Sequence, residues 1–269
     1  MDNNKTERCI TEVAATVLTL LGVEPDAQMA PPIPEVLDAA KEFDRPCDRV
    51  VLYNPDAIAL WLYEKYAVYF QPMEKQTRLR LRMRSVMPSV TPACFGSMYS
   101  GVLPEVHGIR KYEKPVLRVT TIFDLLAKAG KKVAIVSTEG DSISMIFLER
   151  PIDYFVYPTK QECNEKVYEL IREDRYDCIV LYNGDYDYEM HRHGPEGKKP
   201  LAALWENIET YCTLQKAIRE NWPEHRTALV FAPDHGCHTV KRFFGNHGTD
   251  APEDMYIPHF YTFLGREAE

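Results

Sequence analysis

Three stretches of this sequence gather acids and imidazoles at spacings that suit a cation. The first is Asp187-Tyr188-Glu189-Met190-His191-Arg192-His193-Gly194-Pro195, where a carboxylate and an imidazole stand four residues apart. In helical or looped backbone such a pair can converge on one borderline-soft ion. Taken alone, the stretch reads more simply as a polar loop with incidental histidines. The second is Asp234-His235-Gly236 and the third is His247-Gly248. A glycine directly after each histidine removes a side chain where the backbone must approach a ligand closely or take positive φ. Either pair by itself fits a capping aspartate and a solvent-facing histidine. All three together favour metal binding.

A hydroxyl nucleophile is offered by the segment Met87-Pro88-Ser89-Val90-Thr91-Pro92-Ala93-Cys94, which continues to Gly101 and then Pro104-Glu105-Val106-His107-Gly108-Ile109. Thr91-Pro92 has the pattern of a helix N-cap followed by proline at the first helical position, and Gly101 suits the helix end. Thr91 therefore reads as a cap. It reads equally as a nucleophile, because a hydroxyl at a helix start stands where backbone N–H groups favour an anion such as phosphate.

These side chains need elements that bring them to one place. Short apolar runs at Arg49–Tyr53, Val133–Val136, Asp177–Tyr182 and Ala228–Phe231 predict buried strands, while Thr120–Ala129, Gln161–Glu173 and the stripe Leu201, Leu204, Ile208, Tyr211, Leu214, Ile218 predict helices. Strand and helix alternate, so an α/β sheet covered on both faces is expected. In such sheets ligands gather at the carboxyl ends of the strands. Three of the runs lead straight into acids: Asn54-Pro55-Asp56, Asn183-Gly184-Asp185-Tyr186-Asp187 and Ala232-Pro233-Asp234.

The 269 residues suit one large domain, spanning 1–269. With 45% hydrophobic and 27% charged residues the composition is that of a soluble protein, and no apolar run approaches the roughly 20 residues that cross a bilayer. No membrane partner is expected. The N-terminus lacks a basic segment leading into an apolar core, which points to a cytoplasmic location. Seven cysteines without a CxxC pair argue against a disulfide framework and a thiolate zinc site. A net charge of -8 disfavours a nucleic-acid polymer as partner. The alternating run Arg78-Leu79-Arg80-Leu81-Arg82-Met83-Arg84 predicts a half-exposed strand with arginines on its wet face. The proline-rich Met29–Pro34 reads as a connector.

Residues 87–109 closely resemble the nucleophile segment of the alkaline phosphatase superfamily, in its nucleotide pyrophosphatase/phosphodiesterase and phosphonoacetate hydrolase branch. Thr91 matches the nucleophile; Asp187, His191, Gly194 and Pro195 match the Asp-x-x-x-His-x-x-Gly-Pro element; Asp234 and His235 match Asp-His-Gly; His247 matches the final Gly-x-His-Gly; and Asp56 matches the opening metal ligand. The motifs occur in the superfamily's order between residues 49 and 264. The resemblance implies a three-layer α/β/α sandwich with a mostly parallel sheet, and two divalent metal ions. One is held by Asp187, His191 and His247, the other by Asp56, Asp234, His235 and the Thr91 oxygen. Ligands of this type suit zinc, with manganese or iron as alternatives. The implied activity is hydrolysis of a small phosphorylated substrate, a phosphate mono- or diester, through a phosphothreonine. Phosphonate hydrolysis, phosphotransfer and mutase chemistry are the alternatives within the superfamily, and a non-catalytic metal-binding protein is the alternative outside it.

Departures bear on the substrate. The nucleotide pyrophosphatase branch places an asparagine after the nucleophile to donate to a phosphoryl oxygen, whereas Cys94, three residues on, is a weak donor. The sulfatase signature is absent around Thr91. Residues 10–23 resemble the helix that normally follows the last metal histidine near the C-terminus, so we expect a circular permutation that moves it to the front; this requires residues 10–22 to pack near 258–263. Asp185, Glu189, His193, Arg110 and Lys111 read as neighbours of the site or solvated charges. His107 reads as a structural group at a helix C-terminus, and Trp61, Trp205 and Trp222 as packing residues.

Overall fold

The computed structural model describes residues 7–43, 45–241 and 243–265. Its centre is one eight-stranded sheet. In chain order the strands are β1 (Arg8–Cys9), β2 (Arg49–Pro55), β3 (Leu79–Arg84), β4 (Val133–Thr138), β5 (Asp153–Tyr157), β6 (Cys178–Asn183), β7 (Thr227–Phe231), the small paired strands β8 (His238–Val240) and β9 (Phe244–Asn246), and β10 (Tyr256–Leu264). The main sheet has the order β1-β3-β10-β7-β2-β6-β4-β5. β10 pairs antiparallel with both β3 and β7, and every other pairing in this sheet is parallel. Seven strands therefore point one way and β10 alone returns.

Alternation along the central strands assigns each residue to one of two cores. Val50, Leu52, Val180 and Val230 face a cluster that includes the helices Glu12–Leu20, Thr91–Ser100 and Ile122–Lys128. Val51, Tyr53, Leu181 and Phe231 face the helices Leu60–Lys65, Lys160–Glu173 and Lys198–Asn221. The architecture is the expected α/β/α sandwich, since a strand buried on both sides must be apolar at every position. Two helices start at capping boxes, Thr121 with Asp124 and Thr159 with Glu162, which fixes their entry.

The arginine run forms β3 with Arg80, Arg82 and Arg84 exposed and Met83 buried, as its period of two requires. Each arginine has a local partner: Arg78 lies near Glu42, Arg80 near Glu74, Arg84 near Glu7, and Arg82 stacks on Tyr256. A free basic stripe is absent at these positions. The helix Glu12–Leu20 shares its core with Ile257 and Tyr261 of β10, so the N-terminal element sits in the neighbourhood that the permutation requires. None of the described helices is long and apolar enough to cross a membrane.

Candidate active site

Because β7, β2 and β6 are adjacent and parallel, their carboxyl ends open onto one edge of the sheet. Asp234 and His235 follow β7, Asp56 follows β2, and Asp187 follows β6. β3 ends on the same edge and leads to Thr91. β10 begins there, with Tyr256 opposite Arg84, so the segment before it delivers His247 to the same place.

All seven residues expected at the site come together, in two groups. Asp56, Asp234 and His235 form one, and Asp187, His191 and His247 the other. In the first, His235 Nε2 lies 3.4 Å from Asp56 Oδ1 and 3.4 Å from Asp234 Oδ2. Thr91 Oγ1 lies 3.3 Å from His235 Nε2 and 3.4 Å from Asp56 Oδ2. In the second, Asp187 Oδ1 lies 3.3 Å from His191 Nε2 and 3.4 Å from His247 Nε2. The His235 and His247 rings stack with centroids 4.0 Å apart, which joins the groups.

Each of the three histidines has its Nδ1 against a backbone carbonyl: His191 at Gly245, His235 at Gly236 and His247 at Ser89, at 3.1, 2.9 and 2.8 Å. A proton placed on Nδ1 leaves Nε2 as a lone pair facing the site, the arrangement that orients metal-binding imidazoles. The carboxylates tell the same story. Asp56 Oδ1, Asp187 Oδ1 and Asp234 Oδ2 are buried without a hydrogen-bond partner, and these are the oxygens that face the imidazoles. Burial, then the charges of Asp234 and Asp187, push the Asp56 carboxyl well above its usual range, and burial raises Asp234 as well. Burial opposes ionisation of Asp187 too, but the close approach of His191 and the surrounding imidazoles outweigh it and hold this acid low. Burial and the neighbouring His235 depress His247 to about 3, so it is neutral. Among the described residues no lysine or arginine pairs with these three aspartates, which leaves two candidate cation-binding groups.

The local reading of Thr91 needs one correction. The helix begins at Thr91 itself, Val90 is its N-cap, and the Thr91 side chain makes no capping bond. Its hydroxyl is turned into the site instead, at 3% exposure. The stretch read as a His-bearing loop is the helix Asp185–His193, which places Asp187 and His191 one turn apart on one face and Glu189 with His193 on another, where these two pair at 3.2 Å. Asp185 binds Lys160. His107 is structural, as expected: it closes the helix Pro104–His107, is buried against Gly96 and shares a hydrogen bond with Ser97 Oγ at 3.0 Å. Cys94 is buried with its thiol 3.1 Å from Ser85 Oγ and 3.9 Å from the Pro88 carbonyl. The two glycines after histidines are needed for different reasons. A Cβ on Gly236 would lie 2.1 Å from the Glu253 carbonyl oxygen, and Gly248 has φ of 107°.

Three supporting residues were not visible as such in the sequence. Ser89 binds the loop beyond His247 through its side chain as well as its carbonyl: Oγ donates to the Thr249 carbonyl at 2.8 Å and accepts from Gly248 N–H at 3.1 Å. Ala57, at φ 62°, turns its N–H toward Asp234 Oδ1 at 3.4 Å. Tyr182 donates its phenol proton to Asp56 Oδ2. A tyrosine ending an apolar strand just before an acidic stretch was the available signal for the last.

Gly245 offers a test of the second group. A Cβ there would meet Met190 Sδ at 2.0 Å and the Met190 carbonyl oxygen at 2.8 Å, and only the sulfur can move aside. Gly245→Ala is expected to lift β9 from the helix Asp185–His193, break the His191 to Gly245 bond and displace His247. We expect a loss of about 1–3 kcal/mol in stability and weaker cation binding at this group, read by melting and metal titration. Wild-type affinity would show that β9 does not set the ligand positions.

His259, on β10 and fully buried, donates from Nε2 to the Pro233 carbonyl at 2.8 Å, next to Asp234. Burial depresses it to about 4. A folded pKa below the unfolded 6.5 contributes stability that is complete above 6.5 and is lost as pH falls toward 4. Replacing it by Gln should therefore shrink the stability difference between pH 7 and 4.5 by about 2–3 kcal/mol. Urea unfolding at the two pH values measures this, and an unchanged difference would refute it.

No family model matches the chain. Human ectonucleotide pyrophosphatase/phosphodiesterase family member 7 is 32% identical over 97 residues, which cover 36% of this chain and 20% of that protein. The match thus spans about a fifth of the curated relative's length. Among solved structures, human ectonucleotide pyrophosphatase/phosphodiesterase 5 superimposes with a TM-score of 0.61 at 13% identity, covering 81% of this chain and 88% of the other. The murine protein gives 0.62 at 14% identity with the same coverage. An inactive threonine-to-alanine variant of the murine protein, in complex with AMP, gives 0.62 at 12% identity. With its single returning strand and its clustered aspartates and histidines at one edge of the sheet, the chain has the alkaline phosphatase-type fold that the ectonucleotide pyrophosphatase/phosphodiesterases carry.

Proposed function

We propose that this protein is a metal-dependent hydrolase of small phosphate esters, with diesters as the leading class, acting through a phosphothreonine at Thr91. The observation that carries the reading is the Thr91 hydroxyl, 3.3 Å from His235 Nε2 and 3.4 Å from Asp56 Oδ2, beside two groups of unsatisfied carboxylates and oriented imidazoles. The inactive variant of the murine neighbour, a threonine replaced by alanine and held with AMP, supports a threonine in this role and a phosphorylated small molecule as substrate.

Donor type supports two zinc ions, since each group offers imidazole nitrogen and carboxylate oxygen without thiolate, a set that manganese or iron would also accept. Asp56, Asp234, His235 and Thr91 would complete a four-ligand set, and Asp187, His191 and His247 would leave one position open. Divalent cations there would acidify the hydroxyl and water that meet them and neutralise the phosphoryl oxygens.

The chain's own groups do the rest. The N-terminus of the helix Thr91–Ser100 favours a phosphoryl group near Thr91. Thr91 Oγ attacks phosphorus, the alkoxide of the ester leaves, and water then releases the phosphoryl group from Thr91. Exposure is graded across the site, from 0% for the His235 side chain to 38% for that of His191, so water and leaving group meet the second group. Turnover of p-nitrophenyl phosphate and its diester analogues in zinc or manganese tests the proposal. Release of nitrophenol from at least one supports it, and inertness of the fully loaded protein toward the whole panel would overturn it.

A further inference from the structure

Asp56 has two carboxylate oxygens in different surroundings. Oδ1 faces His235 and has no hydrogen-bond partner, while Oδ2 accepts the phenol proton of Tyr182 and lies 3.4 Å from Thr91 Oγ1. The other supports of the ligands are backbone groups: the carbonyls of Gly245, Gly236 and Ser89 behind the imidazoles, and the Ala57 N–H on Asp234. Tyr182 is thus a side-chain support, open to substitution.

Tyr182 is itself held in place. It is the penultimate residue of β6 at 5% exposure, its ring meets Phe95 edge to face at 5.7 Å and 84°, and Gly184 closes the other side, where a Cβ would lie 2.8 Å from the phenol oxygen. A phenol has one proton to donate, and here it goes to Asp56.

We propose that Tyr182 is a positioning residue for the cation site formed by Asp56, Asp234 and His235. Its hydroxyl fixes the rotation of the Asp56 carboxylate, so that Oδ1 is presented to the cation and Oδ2 stays beside Thr91. The inference rests on the metal-site reading above and adds what sets the ligand's orientation. Removing the hydroxyl frees the carboxylate to rotate; the cost falls on cation affinity at this site and leaves Asp187, His191 and His247 untouched.

Zinc or cobalt titration of the wild type, Tyr182→Phe and Tyr53→Phe tests it. Phenylalanine at 182 keeps the packing against Phe95. Tyr53→Phe removes a buried phenol from the neighbouring strand, one that donates to Asn207, accepts from Asn183 and touches no ligand carboxylate. The wild type is expected to bind two cations, Tyr182→Phe to lose about 10- to 100-fold at one site only, and Tyr53→Phe to lose nothing. In an Asp56→Asn background, Tyr182→Phe should add little, because both changes act through one carboxylate. Unchanged affinity in Tyr182→Phe, an equal loss in Tyr53→Phe, or full additivity with Asp56→Asn would each overturn the role of Tyr182 while leaving the metal sites standing. A wild type that binds fewer than two cations would overturn the two-site reading itself, and the proposal with it.

Discussion

Thr91→Ala is expected to lower turnover of a phosphodiester by on the order of 10³-fold or more, with both cations still bound. The two halves of that result rest on different parts of the geometry. Thr91 supplies one oxygen to the site, and without it no covalent phosphoryl intermediate can form. Asp56, Asp234 and His235 remain to hold the ion, since their converging atoms do not depend on the threonine. Rapid-quench detection of phosphorylated protein in the wild type, and its absence in the variant, ties the loss to the nucleophile. Turnover within a few-fold of wild type in Thr91→Ala would remove the threonine from the mechanism.

Stripping the metals should have the second large effect. Chelation is expected to abolish turnover and lower the melting temperature by about 15 °C, from a loss of about 4 kcal/mol for each of two ions if each is held at about a thousand times its Kd. The effect should grow with pH. In the metal-free protein Asp56 and Asp234 titrate above their usual range, so they contribute stability as protonated acids at low pH and lose it as pH rises through their raised values. A cation displaces those protons and removes the penalty. The gap between loaded and stripped protein should therefore widen from the ordinary carboxylate range upward. Asp187, held low, is ionised throughout that window and contributes no slope. Scanning calorimetry at several pH values measures it; equal melting of both forms at neutral pH would show that the acids hold no ion.

How far the sequence disclosed this arrangement depends on what kind of signal each part leaves. The buried strands were legible as short continuous apolar runs, because burial on both faces leaves no polar position, and the long helix Lys198–Asn221 by its stripe at three- and four-residue intervals, because burial on one face imposes a period. The strand-end acids were legible for a related reason, since a parallel sheet has one edge where loops converge. The return of β10 was not, because nothing in Tyr256–Leu264 states its direction; only pairing with β3 and β7 does. The cap at Thr91 was misplaced by one residue, as Val90 caps through its extended backbone and has no side-chain signature. Ser89, Ala57 and Tyr182 escaped notice because their roles are made by contacts across loops far apart in the chain. Human and murine structures at 12–14% identity share the fold, which shows how much of it is set by pattern and how little by particular residues.

Ser89 sits in the loop that leads to Thr91, yet three of its hydrogen bonds go to the loop that carries His247. Ordering either loop steadies the other, so with two ions held as proposed, filling one position would raise affinity at the second, and by thermodynamic linkage the favour would be returned in equal measure.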